Sequence, residues 1–171
     1  MLQEVKRILG IDPGLQTTGI SIIECQAGGV YRTLYCGCIE TLKDKKIETR
    51  LSEIYSFINE IILEFKPYCL AVEEIFFSSN AKTVINVGQA RGVVLLCASK
   101  NKIDVFEYTP LEVKQAIVGY GRATKDQVKY MVKVLLKINE AEFPKKDDAW
   151  DSLAIAICHA NSSRFNAILK K

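Results

Sequence analysis

The chain has 171 residues, 49% apolar and 25% charged, close to an ordinary globular protein and sufficient for a substantial buried core. Twenty-three basic and 20 acidic residues leave a formal charge of +3, which permits nucleic-acid binding without arguing for it. No long uncharged apolar run is present, and the N-terminus lacks the basic flank and apolar core of a signal peptide, so a membrane span is excluded and a cytoplasmic protein expected.

The first third reads as strands. Val5–Ile11 is an apolar run closed by the turn signal Asp12-Pro13-Gly14. Thr17–Glu24 and Val30–Ile39 follow, with Gly28-Gly29 between them as a hairpin turn. Then the period becomes helical, from Ile47 through Leu51, Ile54, Ile58, Ile61 and Ile62 to Phe65, and Lys66-Pro67 ends that helix. Cys69–Val72 reads as a buried strand with Glu73 at its end. Asn80–Lys100 reads as a helix with Gly88 and Gly92 on one face, a spacing that marks close helix packing more often than a ligand site. Ile103–Tyr108 is a last short strand.

Capping boxes at Thr109 to Glu112 and Thr124 to Gln127 start two more helices. The second has Val128, Met131, Val132, Leu135 and Leu136 as its apolar face. A final helix spans about Asp147 to Ser162, with Trp150, Leu153, Ala154 and Ile157 as its stripe. This order predicts one α/β domain over residues 1–171. Its five-stranded mixed sheet has three antiparallel strands and then parallel additions.

Six cysteines, at positions 25, 36, 38, 69, 97 and 158, form no Cys-x-x-Cys pair, and His159 is the only histidine. They read as small buried hydrophobes in a reducing compartment, Cys36 and Cys38 sharing one face of a strand. His159 reads as packed or surface, two turns beyond Asp151 and no ligand.

The acids carry the chemistry. Asp12 and Glu73 each end a strand that is otherwise apolar, where an unpaired charge is costly. Asp148 and Asp151 lie three apart on a helix, so they share a face beside its apolar stripe. Four acids approaching one point repel one another unless a hard cation sits among them, and oxygen-only ligands select magnesium or manganese. Two such ions about 4 Å apart can clamp the attacking and leaving oxygens of a phosphoryl displacement. Plainer readings stay open for each residue alone: Asp12 as a turn residue, Asp147 and Asp148 as helix caps, Glu73 paired with a lysine.

The ordered motifs narrow the choice. Ile-Leu-Gly-Ile-Asp-Pro-Gly-Leu-Gln-Thr-Thr-Gly at 8–19 resembles the opening motif of the RuvC family of Holliday-junction resolvases. So do Ala71-Val72-Glu73-Glu74-Ile75-Phe76, Gly88-Gln89-Ala90-Arg91-Gly92, Val113 to Gly119 and Asp148 to Ala156, in family order across nearly the whole chain. The resemblance implies an RNase H-like fold and a magnesium-dependent endonuclease acting as a homodimer on four-way DNA junctions. A branch-migration helicase complex is the implied partner. Each subunit would nick one of two strands of like polarity. The catalytic and metal-holding acids fall on Asp12, Glu73, Asp148 and Asp151, although the position of Asp148 is histidine in some members. Glu74 stands where some members have glutamine.

The same resemblance implies DNA contacts at Phe76, whose ring would stack on an unpaired base, and at Lys114 and Lys125. Arg91 lies in a family motif and could equally support the helix interface. Lys125, Lys129, Lys133 and Lys137 also repeat every four residues, read as a basic stripe opposite the apolar face and a backbone contact given a DNA substrate. The alternative within nucleases is an RNase H-like enzyme acting on RNA–DNA hybrid or structured RNA. An actin-like ATPase shares the Asp-x-Gly opening but needs a far longer chain, and a binding-only module gains nothing from four anions near phosphate. The helix near Gly88–Gly92 is the expected dimer surface.

Overall fold

The computed structural model describes residues 5–26, 30–75, 81–138 and 144–162, the side chains of 81 and 82 excepted. Five strands form one sheet: β1 (Lys6–Asp12), β2 (Thr17–Gln26), β3 (Val30–Glu40), β4 (Cys69–Glu73) and β5 (Asp104–Tyr108), in the order β3-β2-β1-β4-β5. β1 pairs antiparallel with β2, and β2 with β3, whereas β4 pairs parallel with both β1 and β5. The helices are α1 (Ile47–Phe65), α2 (Ala81–Lys100), α3 (Pro110–Val118), α4 (Lys125–Leu136) and α5 (Asp147–Asn161). The mixed sheet and its antiparallel opening are as the sequence predicts. The Gly28-Gly29 turn lies outside the described residues.

Alternation along the strands feeds two cores. Leu9, Ile11, Ile20, Ile22, Leu70 and Val72 face α1 and α2, against Ile54, Ile58, Ala90 and Val94. Ile8, Ile23, Cys25, Cys69 and Ala71 face the other way, toward α3, α4 and α5. Burial on both faces is why β1 and β4 read as nearly continuous apolar runs.

The helix ends follow local chemistry. Thr109 and Thr124 both make complete capping boxes. Lys66 closes α1 in the left-handed conformation, with its N–H donating to the Ile62 carbonyl. α5 departs from the single apolar stripe expected of it, since every residue from Ser152 to Ala160 is buried. The sheet covers one side of this helix while α3 and α4 cover the other, so it forms a middle layer.

α2 differs in the opposite sense. A Cβ on Gly92 would meet nothing within 4 Å, and one on Gly88 only the tip of Ile75. Among the described residues these glycines are therefore not a packing notch. They lie on a face that leaves Ile85 and Leu96 exposed.

The six cysteines are free and none is fully exposed, consistent with small core residues. No helix among the described residues is long and apolar enough to cross a membrane. His159 is fully buried, stacked on Phe106, with Nδ1 2.6 Å from the Tyr108 hydroxyl. It is a packed histidine.

α5 reaches the sheet through Gly10. A Cβ there would overlap the Ser152 carbonyl and come within 2.8 Å of Ala156 Cβ. Gly10→Ala is therefore expected to destabilise the protein by about 1–3 kcal/mol, because backbone on a buried helix cannot yield. Urea unfolding would show a lower midpoint at unchanged slope; an unchanged midpoint would mean that α5 can lift from the sheet at little cost.

Candidate active site

Strand register brings two of the acids together. Ile11 pairs with Val72 across the parallel β1–β4 ladder, so Asp12 and Glu73 are the next residues at adjacent C-terminal strand ends. By alternation both sit on the face that carries α5. The chain then turns away through Pro13. Thr18 Oγ1 donates to the Gly14 carbonyl at 2.6 Å, and Thr41 Oγ1 to the Leu15 carbonyl at 2.6 Å, fixing the loop that follows Asp12.

α5 supplies the other two acids from its first turns. Gly19 pairs with Asp12 in the β1–β2 ladder, and a Cβ on Gly19 would overlap the Asp148 carbonyl. The missing side chain lets the start of α5 lie against the sheet beside Asp12. Cys36 on β3 supports the same turn, its thiol 3.6 Å from the Ala149 carbonyl.

Asp12, Glu73 and Asp151 line one cavity of about 300 Å³, with Lys114 and Lys125 on its wall. Burial, and then the charges of Asp151, Glu73 and Asp148, push the Asp12 carboxyl up to about 7; Lys125 partly opposes this. Glu73 is raised as well, by burial and then by Asp151, with Lys125 and Lys114 opposing. Lys125 Nζ lies 2.9 Å from Asp151 Oδ2, and this contact raises the lysine further. Glu74 lines the adjoining cavity with Asp12 and Glu73, so it faces the site.

The four acids do not meet at a single point. Among the described residues no three acid, histidine or cysteine groups stand close enough to hold an ion as they are. Asp151 is drawn to Lys125, and Asp148 borders a different cavity. Donor chemistry nevertheless fits a hard divalent cation. The Asp12 carboxylate meets no hydrogen-bond donor or ion-pair partner among the described residues, and every candidate ligand offers oxygen.

One reading of the basic residues needs correction. The lysines of α4 are not opposite its apolar face. Val128, Val132 and Leu136 are buried, and Lys129, Lys133 and Lys137 each lie one residue on, about 100° around the helix. That turns them toward α5. Lys129 is 3.5 Å from Asp147, and both Lys129 and Lys133 lie over the Trp150 ring. Arg91 pairs with Glu107, tying α2 to β5, in keeping with the interface-support alternative. Phe76 lies outside the described residues.

A mixed sheet that ends in convergent carboxylates with lysines beside them defines a nuclease of the RNase H-like class. The family described as "Crossover junction endodeoxyribonuclease RuvC" matches residues 8–159. Curated relatives carrying that name include one from Halothermothrix orenii, 51% identical over 93% of this chain and 94% of its own. Another, from Desulforamulus reducens, is 48% identical over 95% of this chain and 99% of its own. Among solved structures, Thermus thermophilus RuvC in complex with Holliday junction substrate superposes with a TM-score of 0.88. It is 33% identical, covering 94% of this chain and 96% of that one. The yeast mitochondrial Holliday junction resolvase Ydc2, at a TM-score of 0.66 and 14% identity, shares the fold. The chain belongs to the RuvC family of crossover junction endodeoxyribonucleases, which are metal-dependent nucleases.

The raised Asp12 carboxyl has a cost without metal. Its folded value near 7 exceeds the unfolded value near 4. The folded state therefore binds the extra proton between those limits, and stability falls as pH rises through that window. In chelator at pH 8, Asp12→Asn is expected to raise stability by roughly 2 kcal/mol, with the gain vanishing near pH 4. Thermal melts at the two pH values check this; equal melting at pH 8 would remove the electrostatic strain from Asp12.

Proposed function

We propose that Asp12, Glu73, Asp148 and Asp151 are the catalytic and metal-holding acids with which this chain, as one nuclease domain in the cytoplasm, cuts four-way DNA junctions in recombination and repair. The observation that carries the reading is the convergence of Asp12, Glu73 and Asp151 on one cavity wall, with Asp12 held near 7. Magnesium, replaceable by manganese, is the proposed cofactor, with two ions during catalysis. When bound, such an ion supplies a nucleophile near neutral pH and stabilises charge on the leaving oxygen.

The chain's own groups do the rest. Glu73 and Asp12 hold their position from rigid strand ends, and Asp148 and Asp151 from the first turns of a buried helix. Lys125 neutralises Asp151 in the metal-free state and, with Lys114, faces phosphate on the same wall. Lys129 and Lys133, which lie over Trp150, are the proposed contacts to the DNA backbone beyond the cavity. Phe76, four residues of chain beyond Val72, is the proposed stacking aromatic. Arg91 acts through its support of α2. The proposed assembly is a homodimer, with the exposed face of α2 around Ile85 and Leu96 as its surface. The branch-migration helicase partner rests on the family resemblance alone.

Asp12→Asn is expected to abolish magnesium-dependent junction cleavage while leaving junction binding intact. A variant that cuts at the normal rate would overturn the assignment. Cleavage of a four-way junction, a linear duplex and an RNA–DNA hybrid by the wild type separates the substrate readings, and equal cutting of all three would sink the junction preference. Replacing Lys129 and Lys133 together with alanine should weaken binding and lower its salt slope by up to about two. An unchanged slope would remove both from the DNA surface.

A further inference from the structure

Three cavities adjoin on the face that carries the acids. The first, of about 300 Å³, holds Lys114 and Lys125 beside Asp12, Glu73 and Asp151. The second, of about 270 Å³, shares Asp12 and Glu73 with the first. The third, of about 770 Å³, shares Thr83 and Val87 with the second and has Asp148 in its wall. Shared walls make them one track that passes over the carboxylates. Cations stand at one end as Lys114 and Lys125. At the other end stand Lys43 and Arg50, which no sequence motif singled out.

These two cations are available. Lys43 is exposed and makes no ion pair or hydrogen bond among the described residues, whereas nearby Lys45 is paired with Glu53. Among the described residues Arg50 is held by neutral acceptors: Nε donates to Thr41 Oγ1 at 2.8 Å and a terminal nitrogen to the Leu15 carbonyl at 3.3 Å. Its position is therefore fixed while its charge is not cancelled by a carboxylate. Gln16 and Asn86 add neutral polar groups to the same wall.

A DNA strand laid over four acids is repelled at the middle of its path. Cations at both ends offset that repulsion and hold the strand taut across the acids. We propose that Lys43 and Arg50 form a second phosphate-binding end of the substrate track, taking a backbone phosphate of the cleaved strand on the Asp148 side of the scissile bond. The inference rests on the nuclease reading above and adds the direction in which the strand runs over the site.

The test uses the full chain and a four-way junction, with calcium in place of magnesium so that binding is read without cutting. Lys43→Ala is expected to bind about 3–10-fold more weakly, with a salt slope smaller by about one. Arg50→Gln keeps a donor for Thr41 and Leu15 and should lose a similar slope at an unchanged melting temperature. Lys46→Ala, an exposed neighbour off the track, should bind within twofold of wild type. Junctions carrying one uncharged methylphosphonate each then locate the contact, since the phosphate held by Lys43 is the one whose neutralisation weakens wild type but not Lys43→Ala. Binding of Lys43→Ala indistinguishable from Lys46→Ala would overturn the proposal, as would a methylphosphonate series with no such position. If wild type prefers linear duplex and leaves junctions uncut, the nuclease reading on junctions falls. The Lys43 and Lys46 comparison on that duplex still decides the cation pair.

Discussion

The site depends on backbone lying directly against backbone. α5 meets β1 and β2 at Gly10 and Gly19, where no side chain separates helix from sheet. Gly10 brings the Ser152 turn down, and Gly19 does the same for the Asp148 turn. Because Gly19 pairs with Asp12, the tightest contact falls beside the strand-end acid. A single methyl group at either glycine would lift the helix and move two carboxylates away from the other two. The complete burial of α5 from Ser152 to Ala160 belongs to the same constraint, since a helix clamped between sheet and helices cannot slide.

That rigidity concentrates negative charge which the fold cannot neutralise by itself. Burial raises the Asp12 carboxyl more than any single neighbour does, three acids add to it, and one lysine opposes them. Lys125 is the internal counter-charge, yet it bonds one oxygen of Asp151 and leaves Asp12 bare. A largely exposed pair of this kind does not stabilise a fold strongly. The arrangement makes sense as a state prepared for a cation, where a strained carboxylate offers affinity that a satisfied one would not.

Much of this was legible in the sequence. Strand ends at Asp12 and Glu73 follow from apolar runs that stop at an acid. Capping boxes at Thr109 and Thr124 follow from side chains three residues apart. What escaped has a common physical cause, which is that spacing within one element does not reveal what packs on it. Lysines every four residues on α4 define a stripe, but only the position of α5 decides whether that stripe meets solvent or Trp150. Gly88 and Gly92 resemble a packing notch until the neighbouring helix proves to be elsewhere. Arg91 carries a motif's label, and only the sheet order brings Glu107 within its reach. Lys43 and Arg50 had no signal at all, because they come from a loop and the first turn of a helix far in sequence from the acids.

The placement of Asp148 and Asp151 on one helix explains a further property of the proposed site. Residues three apart on a helix hold their side chains about 5–6 Å apart at Cβ, a separation fixed by the backbone. Asp151 faces the cavity of Asp12, Glu73 and the lysines, while Asp148 faces the cavity of Lys43 and Arg50. One helix thus spreads its acids to either side of the strand-end carboxylate. Asp148 also sits in the first turn of α5, where unsatisfied N–H groups favour a negative charge. The helix end thus favours a carboxylate there whether or not an ion is bound. That support comes from the fold itself and has no counterpart at Asp12 and Glu73, which close strands.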